Sequence, residues 1–307
     1  MTRQIAVLIP CYNEAVAIAG VVDAFRAALP DARICVFDNN STDDTAAVAA
    51  RHGAEVYRET RQGKGHVVRR MFADIEADLY VLVDGDGTYD APSASGLVEH
   101  LLEHRLDMVI AARVADGELA YRRGHVFGNR LLTSLVSYLF GHRLHDMLSG
   151  YRVFSRRFVK SFPALSRGFE TETELTVHAL ALRMPFAELD TPYRSRPEGS
   201  ASKLNTWRDG FRILFAIFML VKEERPLPFF TVMGLALCLI SLALGYPVVT
   251  EWLQTGLVPR IPTAILATGL MLLGFLSFAS GLILDTVTRG RTEAKRLAYL
   301  MHRGPGD

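Results

Sequence analysis

The chain is poor in several things that would have pointed elsewhere. It has three cysteines, Cys11, Cys35 and Cys238. That odd number, with no metal-ligand spacing, argues against a disulfide framework or a cysteine metal site, and it fits a reduced, cytosolic setting. A formal net charge of +1 argues against nucleic-acid recognition by bulk electrostatics. No apolar segment followed by a cleavage site succeeds Met1, so a signal peptide is not expected. No G-x-x-x-x-G-K-[ST] run occurs, so a P-loop nucleotide site is not expected either. What is abundant is apolar residues: the mean hydropathy is +0.17, and the excess lies after residue 210.

The most informative stretch is Leu79 to Tyr89. Leu79 to Val83 is a continuous apolar run, which predicts a strand buried on both faces in a mostly parallel sheet. It meets Asp84-Gly85-Asp86-Gly87 at its carboxyl end, where open α/β sheets bind ligands. Two carboxylates held there repel each other unless a cation lies beside them. Mg2+ or Mn2+ is the natural partner, because such ions combine carboxylates with substrate phosphates. The plain alternative is an Asp/Gly turn.

The same alternation runs through the first half. Ile5 to Ile9 predicts a strand ending at Pro10-Cys11-Tyr12-Asn13-Glu14, with Asn13 as the cap of a helix to about Leu29. Arg33 to Phe37 predicts a second strand, ending at Asp38. Ser41 to Asp44 read as a capping box for a helix from Ala46 to Arg51. Ala54 to Tyr57 is a third strand. Gly63-Lys64-Gly65 at the next helix start offers backbone N–H groups and a cation to an anion. Pro92 suits the first position of another helix, and Leu106 to Ala112 is a strand ending at Arg113. Strands alternating with helices predict a doubly wound, Rossmann-like α/β sheet. Glu170, Glu172 and Glu174 are read chiefly as acids opening a helix, with the lining of a sugar pocket as the alternative.

Four segments together resemble the family 2 glycosyltransferases of GT-A fold: Pro10 to Glu14, Asp38 to Asp43, Gly63 to Gly65, and Asp84-Gly85-Asp86. Asp146-Met-Leu-Ser-Gly-Tyr-Arg152 and Arg194 to Lys203 resemble the dolichol-phosphate mannose synthase-like branch, which moves sugars onto polyprenyl phosphates. The resemblance covers roughly residues 4 to 205. It implies a nucleoside-diphosphate sugar donor bound by Pro10, Tyr12, Glu14, Asp38, Lys64, Asp84, Asp86, Arg196 and Lys203. It implies a Mg2+ or Mn2+ ion on Asp86 and Asp84. Many relatives carry a glutamine where this chain has Thr88, which still offers an oxygen. It also implies that Asp86, Asp146, Arg113, Arg122 and Arg123 carry the reaction, the three arginines gripping the acceptor phosphate with their planar forks. Two other readings stay open. A processive polysaccharide synthase typically needs more spans and a Gln-x-x-Arg-Trp motif, neither evident here. A non-catalytic membrane scaffold is opposed by the intact Asp84, Asp86, Asp146 and Lys64.

After residue 203 the character changes. Residues 204–228 predict an interfacial amphipathic helix and linker. Phe229 to Val249 and Ile261 to Leu284 are uncharged runs of the length needed to cross a bilayer. The basic tail, 287–307, places both termini and the catalytic domain, 1–203, on the cytoplasmic side of a cell membrane. The expected partners are therefore the nucleotide sugar, the polyprenyl phosphate and the bilayer, with no nucleic acid; a homo-oligomer is compatible with this.

Overall fold

The computed structural model describes residues 3–115, 144–165, 170–196 and 221–306, together with the single positions 168, 215, 218 and 219. The expected interfacial helix falls largely outside the described residues, as do Arg122, Arg123 and Lys203. The chain divides into two units, Met1–Ile217 with Ala294–Asp307, and Phe218–Glu293.

In the first unit the strands are β1 (Ile5–Cys11), β2 (Arg33–Asp38), β3 (Glu55–Arg58), β4 (Leu79–Leu82), β5 (Met108–Ala115), β6 (Arg152–Ser155) and β7 (Phe186–Tyr193). They form one sheet in the order β3-β2-β1-β4-β6-β5-β7. Side chains alternate across a strand, and β1 and β4 are buried on both faces, so each apolar run feeds two cores. Val7 and Ile9 join Val36 and Val81 on one face, covered by α1 (Ile18–Ala28) and α4 (Ser93–Glu103). Ala6 and Leu8 join Cys35, Tyr80 and Leu82 on the other, covered by α3 (Lys64–Asp74), α5 (Arg156–Ser161) and α6 (Thr171–Ala181). Helix α1 shows why it packs as it does. Ile18, Val21, Val22 and Phe25 are its buried residues, an apolar stripe at helical spacing.

The mostly parallel sheet expected from the sequence is present, with one reversal. β6 runs antiparallel to both neighbours, pairing Leu82 with Arg152 and Ile110 with Arg152. This reversal matters for function. The start of β6, and with it the 144–151 loop, is brought to the carboxyl ends of β4 and β5. β7 runs parallel beside β5 from Met108↔Phe186 to Ala115↔Tyr193, so its exit, Arg194 to Arg196, reaches the same edge.

Three local expectations are corrected. Asn13 does not cap α1, which begins at Ile18 with no side-chain cap bond. Asn13 sits at φ 53°, and its Oδ1 accepts from the Thr42 N–H at 2.7 Å. Ser41 to Asp44 make no capping box either, since α2 (Thr45–Arg51) also lacks a side-chain cap. Their side chains are spent across the sheet edge instead. Ser41 Oγ accepts from the Asn13 N–H at 2.9 Å, and Asp43 Oδ2 from the Ala15 N–H at 3.1 Å. Strand β5 extends past Arg113 to Ala115 because β7 pairs with its whole length.

The second unit contains α7 (Pro226–Thr255) and the first 33 residues of α8 (Ile261–Leu300). Both helices are long and apolar enough to cross a membrane, and only 11% and 22% of their most apolar windows are buried. They meet through small residues: Gly234 and Ser241 on α7, and Ala267, Gly274, Ser277 and Gly281 on α8, are buried. Ser241 Oγ donates to the Ala267 carbonyl at 2.7 Å. Small interfacial residues of this kind allow apolar helices to approach closely. The helices run further than the expected spans. Glu251 lies inside α7 and pairs with Arg260 at 3.2 Å.

Candidate active site

Every candidate residue that is described lies at one edge of the sheet, where β1, β2, β4, β5 and β7 end and β6 begins. Asp84 and Asp86 follow β4. Asp86 is 5% exposed. Its Oδ1 accepts from Thr88 twice, from the N–H at 3.1 Å and the hydroxyl at 2.7 Å. Its Oδ2 lies 2.6 Å from Arg196 Nη2, and the other terminal nitrogen of Arg196 is 3.8 Å from Glu14 Oε1. Asp84 Oδ1 lies 2.5 Å from Lys64 Nζ, and the same ammonium is 2.5 Å from Glu172 Oε1. Thus each acid of the pair has its own cation, and each cation reaches a second acid.

Lys64 is delivered by a loop that Asn39 clamps. The Asn39 Nδ2 donates to the Glu59 and Arg61 carbonyls at 2.9 and 2.7 Å, and its Oδ1 accepts from the Gly63 N–H at 2.7 Å. Gly63 has φ 130°, a backbone state only glycine adopts readily, and Lys64 opens α3 directly after it. Burial works against the Lys64 charge, but Asp84 and Glu172 outweigh it and raise the ammonium above the ordinary lysine range. Lys64 is therefore charged at any physiological pH.

Asp38 ends β2, is 6% exposed, and accepts from the Ser41 N–H at 3.3 and 3.4 Å. Glu14 is fixed through its N–H, which donates to Thr45 Oγ1 at 2.8 Å. Pro10 is the penultimate residue of β1 nearby, and Tyr12 is 38% exposed at the same edge.

On the far side Arg113 forks onto Asp146, Nε to Oδ2 at 2.7 Å and Nη2 to Oδ1 at 2.8 Å. The Arg113 N–H donates to the same carboxylate at 3.1 Å, and its guanidinium lies over the Tyr193 ring at 5.5 Å. The Asp146 loop is held by buried polar groups. Arg152, fully buried, donates to the Ser149 carbonyl at 3.0 Å, the Met147 carbonyl at 2.5 Å and Thr176 Oγ1 at 2.9 Å. Burial pushes its pKa down to about 10, still well above neutrality. Glu188 on β7 accepts from the His145 and Asp146 N–H groups at 2.8 and 3.2 Å.

Sequence reasoning left two of these supports, Asn39 and Glu188, without a role and gave Glu172 a different one. Asn39 is visible only as part of a polar run. Glu188 lies on a strand that the sequence reading did not mark. Glu172 is in the first turn of α6, as expected, yet its side chain is buried against Lys64. The i, i+2 spacing of Glu170, Glu172 and Glu174 was the available signal for a pocket acid.

The arrangement fits a hard divalent cation. Among the described residues Glu14, Asp84, Asp86 and Glu172 gather around Lys64 and Arg196, a strongly acidic setting for a cation. Among the described residues no group of three or more histidine, cysteine or carboxylate side chains is gathered to hold a metal by itself. An ion on Asp84 and Asp86 would therefore complete its shell from a ligand and water, as Mg2+ does with phosphates.

Comparison with known proteins agrees with this architecture. The model of the family described as glycosyl transferase family 2 matches residues 6–162. Glycosyltransferase AglJ of Haloferax volcanii is 32% identical over 299 residues, covering 96% of this chain and 98% of that protein. The dolichyl-phosphate hexose transferase of the same organism is 28% identical over 226 residues, covering 72% of this chain and 96% of its own. Among solved structures, glucosyl-3-phosphoglycerate synthase from Mycobacterium tuberculosis, crystallised with Mn2+, UDP-glucose and glycerol 3-phosphate, superposes with a TM-score of 0.58. That match has 23% identity and covers 71% of this chain and 80% of the synthase. At that identity the likeness carries the fold, a GT-A catalytic domain.

Proposed function

The chain belongs to glycosyl transferase family 2, and from that premise we propose that it moves a hexose or N-acetylhexosamine from a UDP-sugar to a polyprenyl phosphate in a membrane. The observation that carries this reading is the union, in one chain, of a strand-end acid pair with two helices apolar enough to cross a bilayer. A water-soluble acceptor needs no such helices, whereas a long-chain phosphate cannot leave the membrane. The relative named as a dolichyl-phosphate hexose transferase supports the acceptor class, and the solved neighbour with UDP-glucose and Mn2+ supports the donor and a divalent ion.

The reaction is a single displacement at the anomeric carbon. An oxygen of the lipid phosphate attacks, the bond to the donor's diphosphate breaks, and the configuration inverts. A phosphate monoester, with its second pKa near 6, is already largely dianionic at neutral pH, so the attack requires no strong base. This suits Asp146, whose carboxylate is engaged by Arg113 and acts by holding that guanidinium in place. Arg113, with Arg122 and Arg123, grips the acceptor phosphate. Lys64, Arg196 and Lys203 receive the diphosphate. Asp38 accepts from the base or ribose, and Pro10, Tyr12 and Glu14 bound the nucleotide. Asp86 and Asp84 would hold a divalent ion, Mg2+ or Mn2+, the Asp86 carboxylate fixed by Thr88, and that ion would supply neutralisation of charge on the departing diphosphate.

The two apolar helices cross the membrane, residues 204–228 lie along its surface, and the basic tail keeps the catalytic domain and both termini in the cytoplasm, where nucleotide sugars are made. The test is transfer of radiolabelled sugar from a panel of nucleotide sugars to short polyprenyl phosphates. A small labelled lipid supports the proposal. A long polymer or no transfer from any donor overturns it.

A further inference from the structure

The acid pair sits within two matched triads, Glu172–Lys64–Asp84 and Glu14–Arg196–Asp86. Each has an inner carboxylate at the end of β4, a cation, and an outer carboxylate from another element. Glu172 comes from the first turn of α6, 108 residues from Lys64. Glu14 comes from the turn after β1. The outer acids are largely buried, Glu14 at 7% and Glu172 at 5% exposure. Among the described residues Glu172 Oε2 has no hydrogen-bond partner, although a buried carboxylate oxygen is costly to leave unpaired.

We propose that the triads couple metal binding to nucleotide binding by exchanging counterions, with Glu172 and Glu14 as positioning residues. This deepens the reading of the edge as a metal–nucleotide site and rests on it. Without a divalent ion, Lys64 and Arg196 neutralise Asp84 and Asp86, whose mutual repulsion would otherwise spread the Asp84-Gly85-Asp86 turn. A metal arriving alone must displace both cations and itself offers them no anion in exchange. A metal arriving with a nucleoside diphosphate gives the displaced ammonium and guanidinium new anionic oxygens. Glu172 and Glu14 hold the cations at the site during the exchange. An ammonium has three donors, and the second oxygen of Glu172 is available to take the bond that Asp84 gives up.

The consequence is that metal and nucleotide bind cooperatively, and that the cooperativity is carried by these side chains. Couplings between two sites commonly change affinity by about 5–150-fold, and UDP should tighten Mn2+ binding by about tenfold or more on that scale.

The experiment is Mn2+ titration of the full chain in detergent, followed by the paramagnetic resonance of free Mn2+, with and without UDP. Arg196→Gln, at a partly exposed side chain, should tighten Mn2+ binding in the absence of UDP and reduce the enhancement by UDP. Glu172→Gln should act in the opposite sense on Mn2+ alone, since Lys64 then depends on Asp84 only, and should also reduce the enhancement. Arg194→Gln, which removes a nearby cation paired with Asp90, should change neither. A merely structural role for Glu172 predicts a lower melting temperature with the UDP enhancement intact. The coupling is overturned if Mn2+ binds equally tightly with and without UDP, or if the enhancement survives unchanged in Arg196→Gln and Glu172→Gln. Absence of Mn2+ binding even with UDP overturns the metal–nucleotide reading itself, and the exchange falls with it.

Discussion

Gly150 lies directly against Asp84: a β-carbon on Gly150 would come within 2.3 Å of Asp84 Oδ2 and 2.9 Å of its Cγ. The loop into β6 thus forms a wall for the first acid of the pair. Tyr89 fixes that wall, its hydroxyl accepting from the Gly150 N–H at 2.8 Å. Gly150→Ala should push the Asp84 carboxylate off Lys64 without disturbing the two cores. We expect transfer activity to fall by about tenfold or more, as when a group supporting a metal site is displaced, with half-saturation shifted to higher Mn2+. Activity against metal concentration, with a thermal melt as the control for folding, checks this.

Asp86→Asn should remove most activity, by about two orders of magnitude, because a neutral amide is a weak ligand for a hard cation. Thr88→Val keeps the carboxylate but removes the hydroxyl that donates to its Oδ1. Loss of such an outer-shell partner typically costs about 10–100-fold in metal affinity. The two variants are therefore distinguishable: high metal should restore Thr88→Val and leave Asp86→Asn inactive. Near wild-type turnover in Asp86→Asn would remove Asp86 from the metal site.

Asp146→Asn leaves the loop's shape but cannot accept both arms of the Arg113 fork. The KM for polyprenyl phosphate should rise about tenfold, and the donor KM should hold steady. Arg122→Ala and Arg123→Ala should show the same split. The measurement is steady-state kinetics in detergent with a short-chain acceptor, varying each substrate separately. A selective donor defect would reassign these residues.

The end of α8 is built into the catalytic unit. Tyr299 donates its hydroxyl to Asp107 Oδ2 at 2.8 Å, and the Arg157 guanidinium lies over its ring at 4.6 Å. Asp107, fully buried, also accepts from Arg157 at 2.5 and 2.9 Å and from Ser155 Oγ at 2.7 Å. A hydrogen bond to a buried charge is worth about 2 kcal/mol, and Tyr299→Phe should cost that much, lowering the melting temperature by several degrees. Removing residues 297–307 should cost more. Deleting 229–307 to isolate the catalytic domain also takes Tyr299 from Asp107, so that truncation should retain donor binding but melt earlier. An unchanged melting temperature in both Tyr299→Phe and the 297–307 deletion would contradict this.

His178 gives the protein an acid-sensitive core. Its ring lies between Phe158 and Phe162, and its Nε2 is 3.1 Å from Ser161 Oγ. The Ser161 hydroxyl donates to the Phe158 carbonyl at 3.0 Å, so Nε2 carries the proton and donates to Oγ. Burial depresses the His178 pKa to about 3. The folded state keeps the ring neutral while the unfolded chain protonates it, so this stability is complete above about pH 6.5 and is lost as pH falls below it. One unit below the ordinary histidine pKa the loss is about 1.4 kcal/mol. Unfolding between pH 7 and 5 should therefore show a flatter pH dependence in His178→Leu than in the wild type, whatever the absolute change. Parallel curves would remove His178 as the cause.

What the sequence by itself determined were features written in consecutive residues. Leu79 to Val83 reads as a doubly buried strand from its β-branched apolar run, and the acids after it fall at its carboxyl end because chain direction alone dictates that. The two long apolar runs are legible for the same reason, as is the strand–helix alternation of the first half. Tertiary structure decided which distant side chains meet. Lys64 and Glu172 are 108 residues apart, and Tyr299 and Asp107 are 192 apart; no periodicity links them. Their meeting depends on β6 entering the sheet antiparallel between β4 and β5, and on β7 closing against β5. That order is set by how the whole apolar surface is buried, which no local window contains. The loops mark the same boundary. Asn13, Ser41 and Asp43 are good caps in isolation, but the close approach of β1 and β2 offers them one another's backbone N–H groups, and those cross-loop bonds prevail.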